Sequence, residues 1–250
     1  MHKTVEGLKR VIPKRVKAAI SDQLLSLLGK SEYSVDLSSF SQAGEDAVLR
    51  FLFKDYPLPL SSVTYLDIGI RNPVYGSNTF LFYYAGSSGV CVDADATFIP
   101  LVREVRPRDK VLNVAVSDST DTEGTFYFME SGGSTLDKDE ADRRTSLGTA
   151  AIGAVLKVPF VNINDLIRQN FDTYPTLLSI DIEGMDLPVL KSLDLAAYPI
   201  PVICVETCMY SETHVRPKDP TIAEFLMTNG YEIYADTYVN TIFVNTKWFR

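Results

Sequence analysis

Residues 177–190, LLSIDIEGMDLPVL, decide the fold. A short apolar run from Leu177 to Ile180 leads into Asp181, Glu183 and Gly184, and a helix-like apolar pattern starts at Leu187. Such a run, closed by a glycine and followed by helical periodicity, reads as a buried strand turning into a helix. The strand carries two carboxylates to its C-terminal end, where open α/β sheets bind ligands. Continued alternation through residue 183 predicts that Asp181 and Glu183 point to the same side.

Outward from this stretch, strands and helices alternate. Strand-like runs occupy residues 63–68, 89–92, 110–116, 157–162 and 201–205, with a short extra strand at 125–129. Helical patterns occupy 80–85, 97–105, 163–170 and 221–229. Ser77, Asn78 and Thr79 supply the first of these helices with caps, and Asn162 or Asn164 lies at the start of the third. Two last strands, 231–239 and 241–245, turn near Asn240. The pattern predicts an α/β, doubly wound, mostly parallel sheet ending in an antiparallel hairpin strand. Residues 131–151 are polar, carry a glycine pair and are densely charged from Asp137 to Arg144. They read as a mobile insertion over the sheet edge, or as a solvated surface loop.

The chain has 250 residues, 46% hydrophobic and 22% charged, which suits one α/β domain with an ordinary core. A net charge of −8 argues against nucleic acid as the main partner. Residues 1–30 run the other way, with seven basic side chains against two acidic ones. They form a separate basic helical segment, residues 1–35, ahead of a main domain at 36–250. Packing against the domain or a second subunit, with a solvated basic face, is the favoured reading. Peripheral contact with an anionic membrane is the sharper alternative. No apolar run is long enough to span a membrane, and no signal-peptide core precedes Pro13. Cys91, Cys204 and Cys208 have no metal or disulfide spacing; Cys91 and Cys204 read as small buried hydrophobes. A reducing, cytoplasmic setting follows, with the inner face of the membrane as the place a basic helix would dock.

Chemistry gathers at the strand ends. Asp67, Asp93 and Asp181, with Glu183 and Glu206 beside them, fall on one lip if their strands are parallel. So many acids are costly unless hydroxyls, cations or backbone donors answer them. Asp93 follows Gly69 by 24 residues, the place of a ribose-binding acid. The G-x-G-x-x-G run is absent, which disfavours a pyrophosphate cofactor. A sulfonium nucleoside answers the acids well, ribose to Asp93 and positive sulfur near Asp67 and Asp181. On the loop before residue 47, Ser41 with Glu45, or Asp46 alone, could serve the helix N-terminus, and Gln42 with Glu45 and Asp46 could instead contact a ligand, capping being the simpler role. Asp95 and Asp186 read as caps.

The ordered set Ser41-Gln42-x-Gly44-Glu45-Asp46, Tyr65-Leu66-Asp67-Ile68-Gly69, Ser77-Asn78-Thr79, Arg106-Pro107, Asn113-x-Ala115-Val116-Ser117, Ser134-Thr135, Ser179-Ile180-Asp181-Ile182-Glu183-Gly184 and Asn240-Thr241-Ile242-Phe243 resembles the FkbM-type S-adenosylmethionine-dependent methyltransferases. The resemblance spans about residues 38–247. It implies a class I (Rossmann-like) methyltransferase fold and methyl transfer to a hydroxyl, commonly of a sugar or polyketide. It places the S-adenosylmethionine cradle at Gln42, Asp46, Asp67, Gly69, Ile70, Arg71, Asn78, Thr79, Asp93, Ala94, Asn113, Ala115 and Asp181. Ile70 and Arg71 depart from the family, which usually has a small residue and then asparagine. Arg71 could reach an anionic substrate or pair with a lip acid. Asp181, Glu183, Glu206 and His214 are the candidates for the base that takes the hydroxyl proton. Asp181 and Glu183 are also the candidate ligands of a divalent cation that would acidify the hydroxyl. The acceptor expected is a small molecule or glycan. The rivals are a nicotinamide-dependent sugar-modifying enzyme on a related sheet and a non-catalytic binding protein that keeps the fold.

Overall fold

The apolar runs pair into two sheets. The computed structural model describes residues 39–55, 58–130, 132–148, 150–208 and 217–248. These lie in one compact unit, Ser39–Arg250. The basic segment at 1–35 and His214 lie outside the described residues. In chain order the strands are β1 (Tyr65–Ile68), β2 (Gly89–Asp93), β3 (Lys110–Asn113), β4 (Ala115–Val116), β5 (Glu123–Met129), β6 (Ile152–Val161), β7 (Leu177–Ile180), β8 (Val202–Glu206), β9 (Tyr231–Asp236) and β10 (Asn240–Asn245). The helices are α1 (Glu45–Asp55), α2 (Phe80–Tyr84), α3 (Ile99–Val105), α4 (Lys138–Ser146), α5 (Ile163–Asn170), α6 (Asp186–Ser192) and α7 (Pro220–Thr228).

The main sheet has seven strands in the order β3-β2-β1-β7-β8-β10-β9. The strands from β3 to β8 run parallel, and β10 is antiparallel to both its neighbours. Chain order reverses direction beside β1, so the crevice at the C-terminal ends of β1, β2 and β7 is the topological switch point.

Strand alternation divides the core into two layers. Leu66, Val90, Val92, Leu178, Ile180, Ile203, Val205 and Phe243 pack on one face, with Ile163, Ile167, Val189 and Leu226 from α5, α6 and α7. Tyr65, Cys91, Leu177, Val202, Cys204, Ile242 and Val244 pack on the other, with Leu49, Phe82 and Val102 from α1, α2 and α3. Both faces are covered, so these strands are apolar at nearly every position. Among the exceptions are two polar residues of the central strands, Asp67 and Ser179, which stand in register.

Three sequence readings are corrected. The predicted strand 110–116 breaks at Asn113, whose side-chain amide donates to the carbonyls of Asp93 and Ala94 at 2.9 and 3.0 Å. That tie ends the ladder with β2, and β4 crosses to the second sheet. The predicted strand 157–162 is the end of the ten-residue β6, which lies outside the main sheet and forms a three-stranded sheet in the order β4-β6-β5. Its long antiparallel register with β5 recruits residues 152–156, although Val155 and Leu156 are exposed. The charged insertion contains α4, because the Asp137 carboxylate accepts from the amides of Asp139 and Glu140.

The loop before α1 is held from both ends. Asp46 accepts from Ser39 Oγ, the Phe40 amide and Ser41 Oγ at 2.6–2.8 Å. Buried Glu45 accepts from the Ala43 amide, Thr237 Oγ1 and Asn240 Nδ2, tying the loop to the β9–β10 turn. Burial alone would raise the Glu45 pKa, but these donors outweigh it and hold it low.

Candidate functional site

A cavity of about 930 Å³ opens at the C-terminal ends of β1, β2, β7 and β8. Phe126, Phe128 and Met129 of β5, Gly132 to Leu136, and Arg144 of α4 line it from the side of the second sheet. A cavity of this size accommodates a nucleoside cofactor together with part of an acceptor.

The first turn after β1 is set by Gly69. Its amide donates to the Val92 carbonyl at 2.9 Å, and the neighbouring Asp181 amide donates to Ile68 at 3.0 Å. Gly69 has φ +93°, and a Cβ there would lie 2.0 Å from the Asp181 carbonyl oxygen. Only glycine lets β1 turn this close to the end of β7. Gly69→Ala is therefore expected to cost at least about 1–2 kcal/mol from the left-handed backbone alone, plus the displacement of residue 181. Urea unfolding checks the stability, and titration with S-adenosylhomocysteine should show weakened binding.

Beneath the turn lies a buried polar network. Asp67 accepts from Thr79 Oγ1 and stands 3.9 Å from Arg106 Nη1. Fully buried Arg106 also donates to Asp109, Ser77 and Thr79, with its guanidinium over the rings of Tyr65 and Tyr83. Tyr65 Oη donates to Asp109. Burial raises the Asp67 pKa, while Arg106 and Thr79 pull it back down.

At the end of β2, the Asp93 carboxylate accepts from the Asp95 amide at 2.8 Å. Burial, opposed by that bond and reinforced by Asp95 and Asp67, pushes its pKa up to about 7. Asp95 turns the chain into α3 through Thr97, whose amide and hydroxyl donate to one carboxylate oxygen. Its other oxygen is buried and has no hydrogen-bond partner. Asn78 donates to Ser179 Oγ at 3.2 Å, and its own carbonyl oxygen is likewise buried without a partner.

The lip after β7 differs from its sequence reading. β7 stops at Ile180, and Glu183 adopts φ +53°, so strand alternation does not govern Asp181 and Glu183. Glu183 is ion-paired with Arg144 of α4, and its carbonyl accepts from Thr135 Oγ1. Asp181 instead meets Glu206 of β8. Burial first, then the charges of Glu183 and Asp186, raises the Asp181 pKa to about 8; burial, then Asp181 and the same two acids, raises that of Glu206 further, and the hydrogen bond between them makes Asp181 the first to lose its proton. The two candidate cation ligands have different partners, Glu206 for Asp181 and Arg144 for Glu183. Among the described residues no group of three or more His, Cys, Asp or Glu side chains is arranged to hold a metal. Asp186 accepts from the Ile182 and Gly184 amides and shapes the turn into α6.

Of the sequence-predicted residues, Gln42, Asp67, Gly69, Ile70, Arg71, Asn78, Asp93, Ala94, Ala115, Asp181, Glu183 and Glu206 line the cavity. Asp46, Thr79 and Asn113 stand one layer back, holding the α1 loop, Asp67 and the end of β2. Sequence reasoning missed Asp95 as a cavity residue, Arg106 as the counter-charge below it and Arg144 as the partner of Glu183. It also gave Ser134-Thr135 no role. Thr135 joins β5 to the lip, a purpose its place in an ordered motif signalled without specifying.

The raised carboxylates make a stability prediction. Between the unfolded pKa of 3.8 and the folded values, about 7 for Asp93 and about 6 for Asp186, the native chain holds protons that the unfolded chain has lost. Stability from these groups therefore falls as pH rises through that window. Ligand-free protein should melt at a lower temperature at pH 8 than at pH 5, and Asp93→Asn should flatten the difference.

Comparison with known proteins follows the same lines. The family model described as the methyltransferase FkbM domain matches residues 67–233, more than half of the chain. No curated protein matches. A TehB-like SAM-dependent methyltransferase from Corynebacterium glutamicum aligns over 92% of this chain and 96% of its own, at 11% identity and a TM-score of 0.42. That overlap is too loose to argue from, and the fold rests on the strand order. Among the described residues no helix is long and apolar enough to cross a membrane. On the family match and the sheet that carries this cavity, the chain belongs to the FkbM family of S-adenosylmethionine-dependent methyltransferases.

Proposed function

We propose that the protein methylates a hydroxyl group of a sugar or glycan. The observation that carries this reading is the proton-sharing Asp181–Glu206 pair on the cavity lip. A hydroxyl must lose its proton during or after transfer, and a carboxylate of raised pKa suits that task near neutral pH. Glu206 holds its proton more tightly than Asp181 does, so Asp181 is the acceptor once ionised and Glu206 orients it. Glu183 is neutralised by Arg144 and positions the insertion rather than acting as the base.

The cavity residues fit S-adenosylmethionine. Asp93 offers a carboxylate to ribose hydroxyls. The unpartnered oxygens of Asn78 and Asp95 are acceptors suited to an amino group or hydroxyl. Gly69 and Ile70 allow close backbone approach, and Ala94, Val114 and Ala115 provide an apolar wall. Asp67 and Asp181 supply a negative field. When bound, the cofactor supplies an electrophilic methyl group on a positively charged sulfur.

Calorimetric titration is expected to show one-site binding of S-adenosylhomocysteine and none of NAD. Isotope-labelled methyl should appear on a glycan as an alkali-stable ether. Binding of NAD instead, or label recovered as an ester or on nitrogen, would sink the reading.

A further inference from the structure

We propose that the sugar accepted by this site is anionic, and that Arg71 binds its carboxylate or phosphate. The proposal rests on the function just given and names its substrate class. Arg71 follows the glycine turn, and its amide donates to the Gly69 carbonyl at 2.8 Å, which fixes the start of its side chain beside the cofactor turn. The side chain is exposed and lines the cavity. Its guanidinium lies against Gly132: a Cβ built there would sit 2.6, 2.7 and 2.8 Å from Nη2, Nη1 and Cζ. The planar fork thus occupies space that any side chain at 132 would take. Gly132 also has φ +90°, a conformation that favours glycine.

Gly133 does the same for the second arginine, since a Cβ there would strike Arg144 Nη1 at 1.6 Å. The glycine pair therefore seats two guanidiniums at one cavity wall, and they have different fates. Arg144 is engaged by Glu140 and Glu183. Arg71 makes no salt bridge among the described residues. Its charge lowers the Asp93 pKa, behind burial and the influences of Asp95 and Asp67. Glu130 lines the same mouth and is exposed.

A guanidinium fork without a carboxylate partner among the described residues, beside the cavity lip, matches a carboxylate or phosphate in charge and geometry. Tyr75 completes the subsite. It lines the same cavity, is 80% exposed, and has its amide held by Asn72 Oδ1 at 2.9 Å. Its ring offers an apolar face to a sugar while the hydroxyls stay hydrated.

The test uses full-length protein saturated with S-adenosylhomocysteine and follows three probes by saturation-transfer NMR: methyl β-D-glucuronide, glucose 6-phosphate and methyl β-D-glucoside. At least one anionic probe should bind about tenfold or more tightly than the glucoside, the increment of a charged hydrogen bond. Arg71→Gln, confirmed folded by a cooperative melt, should bring the ratio to within about twofold, and Arg71→Lys should leave an intermediate preference because the charge remains and the fork is lost. Equal or absent binding of all three probes by the wild type, or a preference that survives in Arg71→Gln, overturns the proposal. Failure of the wild type to bind S-adenosylhomocysteine strikes instead at the methyltransferase reading, so the two failures are told apart.

Discussion

Asp181→Asn is expected to lower methyl transfer by about 10²–10⁴-fold, the usual contribution of a positioned proton acceptor, while the protein still binds S-adenosylhomocysteine. The asymmetry of the lip makes this specific. Asp181 accepts the hydrogen bond and is the first of the two to ionise, whereas Glu206 donates and keeps its proton longer. Glu206→Gln keeps a donor at nearly the same shape, so its loss should be far smaller, about tenfold or less on the scale of one hydrogen bond. Initial rates for the two variants, with cofactor affinity measured alongside, check the ordering. A larger loss in Glu206→Gln than in Asp181→Asn would assign the base to residue 206. Activity should also rise with pH above the ordinary carboxylate range, because burial keeps the pair protonated longer than either acid would be in water.

Arg106→Leu is expected to destabilise the protein by about 3–5 kcal/mol, the cost of removing one partner from a buried ion pair. The leucine roughly fills the volume but leaves Asp67 and Asp109 as buried carboxylates that have lost their cation. Thr79 and Ser77 lose a donor at the same time. Arg106→Lys should rescue only part of the loss, since one ammonium cannot cover Asp109, Ser77 and Thr79 together. Combining Arg106→Leu with Asp109→Asn should cost less than the sum of the single changes, because the second substitution removes a charge that the first leaves unanswered. Urea midpoints with unchanged slopes measure all three. A cost below about 1 kcal/mol for Arg106→Leu, the scale of an exposed pair, would show that the network is not needed for the fold.

The strands of the main sheet were legible because their information is local. A strand covered on both faces must be apolar at nearly every position, and residues 89–92, 177–180 (Ser179 aside) and 201–205 are. The acids that interrupt this rule, Asp67, Asp93, Asp181 and Glu206, stand out for the same reason, and the parallel order brings them to one cavity. The closing hairpin was legible as two strand-like runs, 231–239 and 241–245, although the turn falls before Asn240, which begins β10.

What each acid does was decided by residues far along the chain. Glu183 reads as a base until Arg144, on a helix formed by a stretch that looks like a solvated loop, takes its charge. Asp181 is paired with a second acid because Glu206 sits on the adjacent strand β8. Strand 110–116 looks continuous, and it is the Asn113 amide, bonded to carbonyls 20 and 19 residues away, that breaks it. Periodicity reports which side of an element is buried. It carries no record of which distant side chain will lie opposite, and that pairing, on top of burial, decides which of Asp181 and Glu206 gives up its proton first.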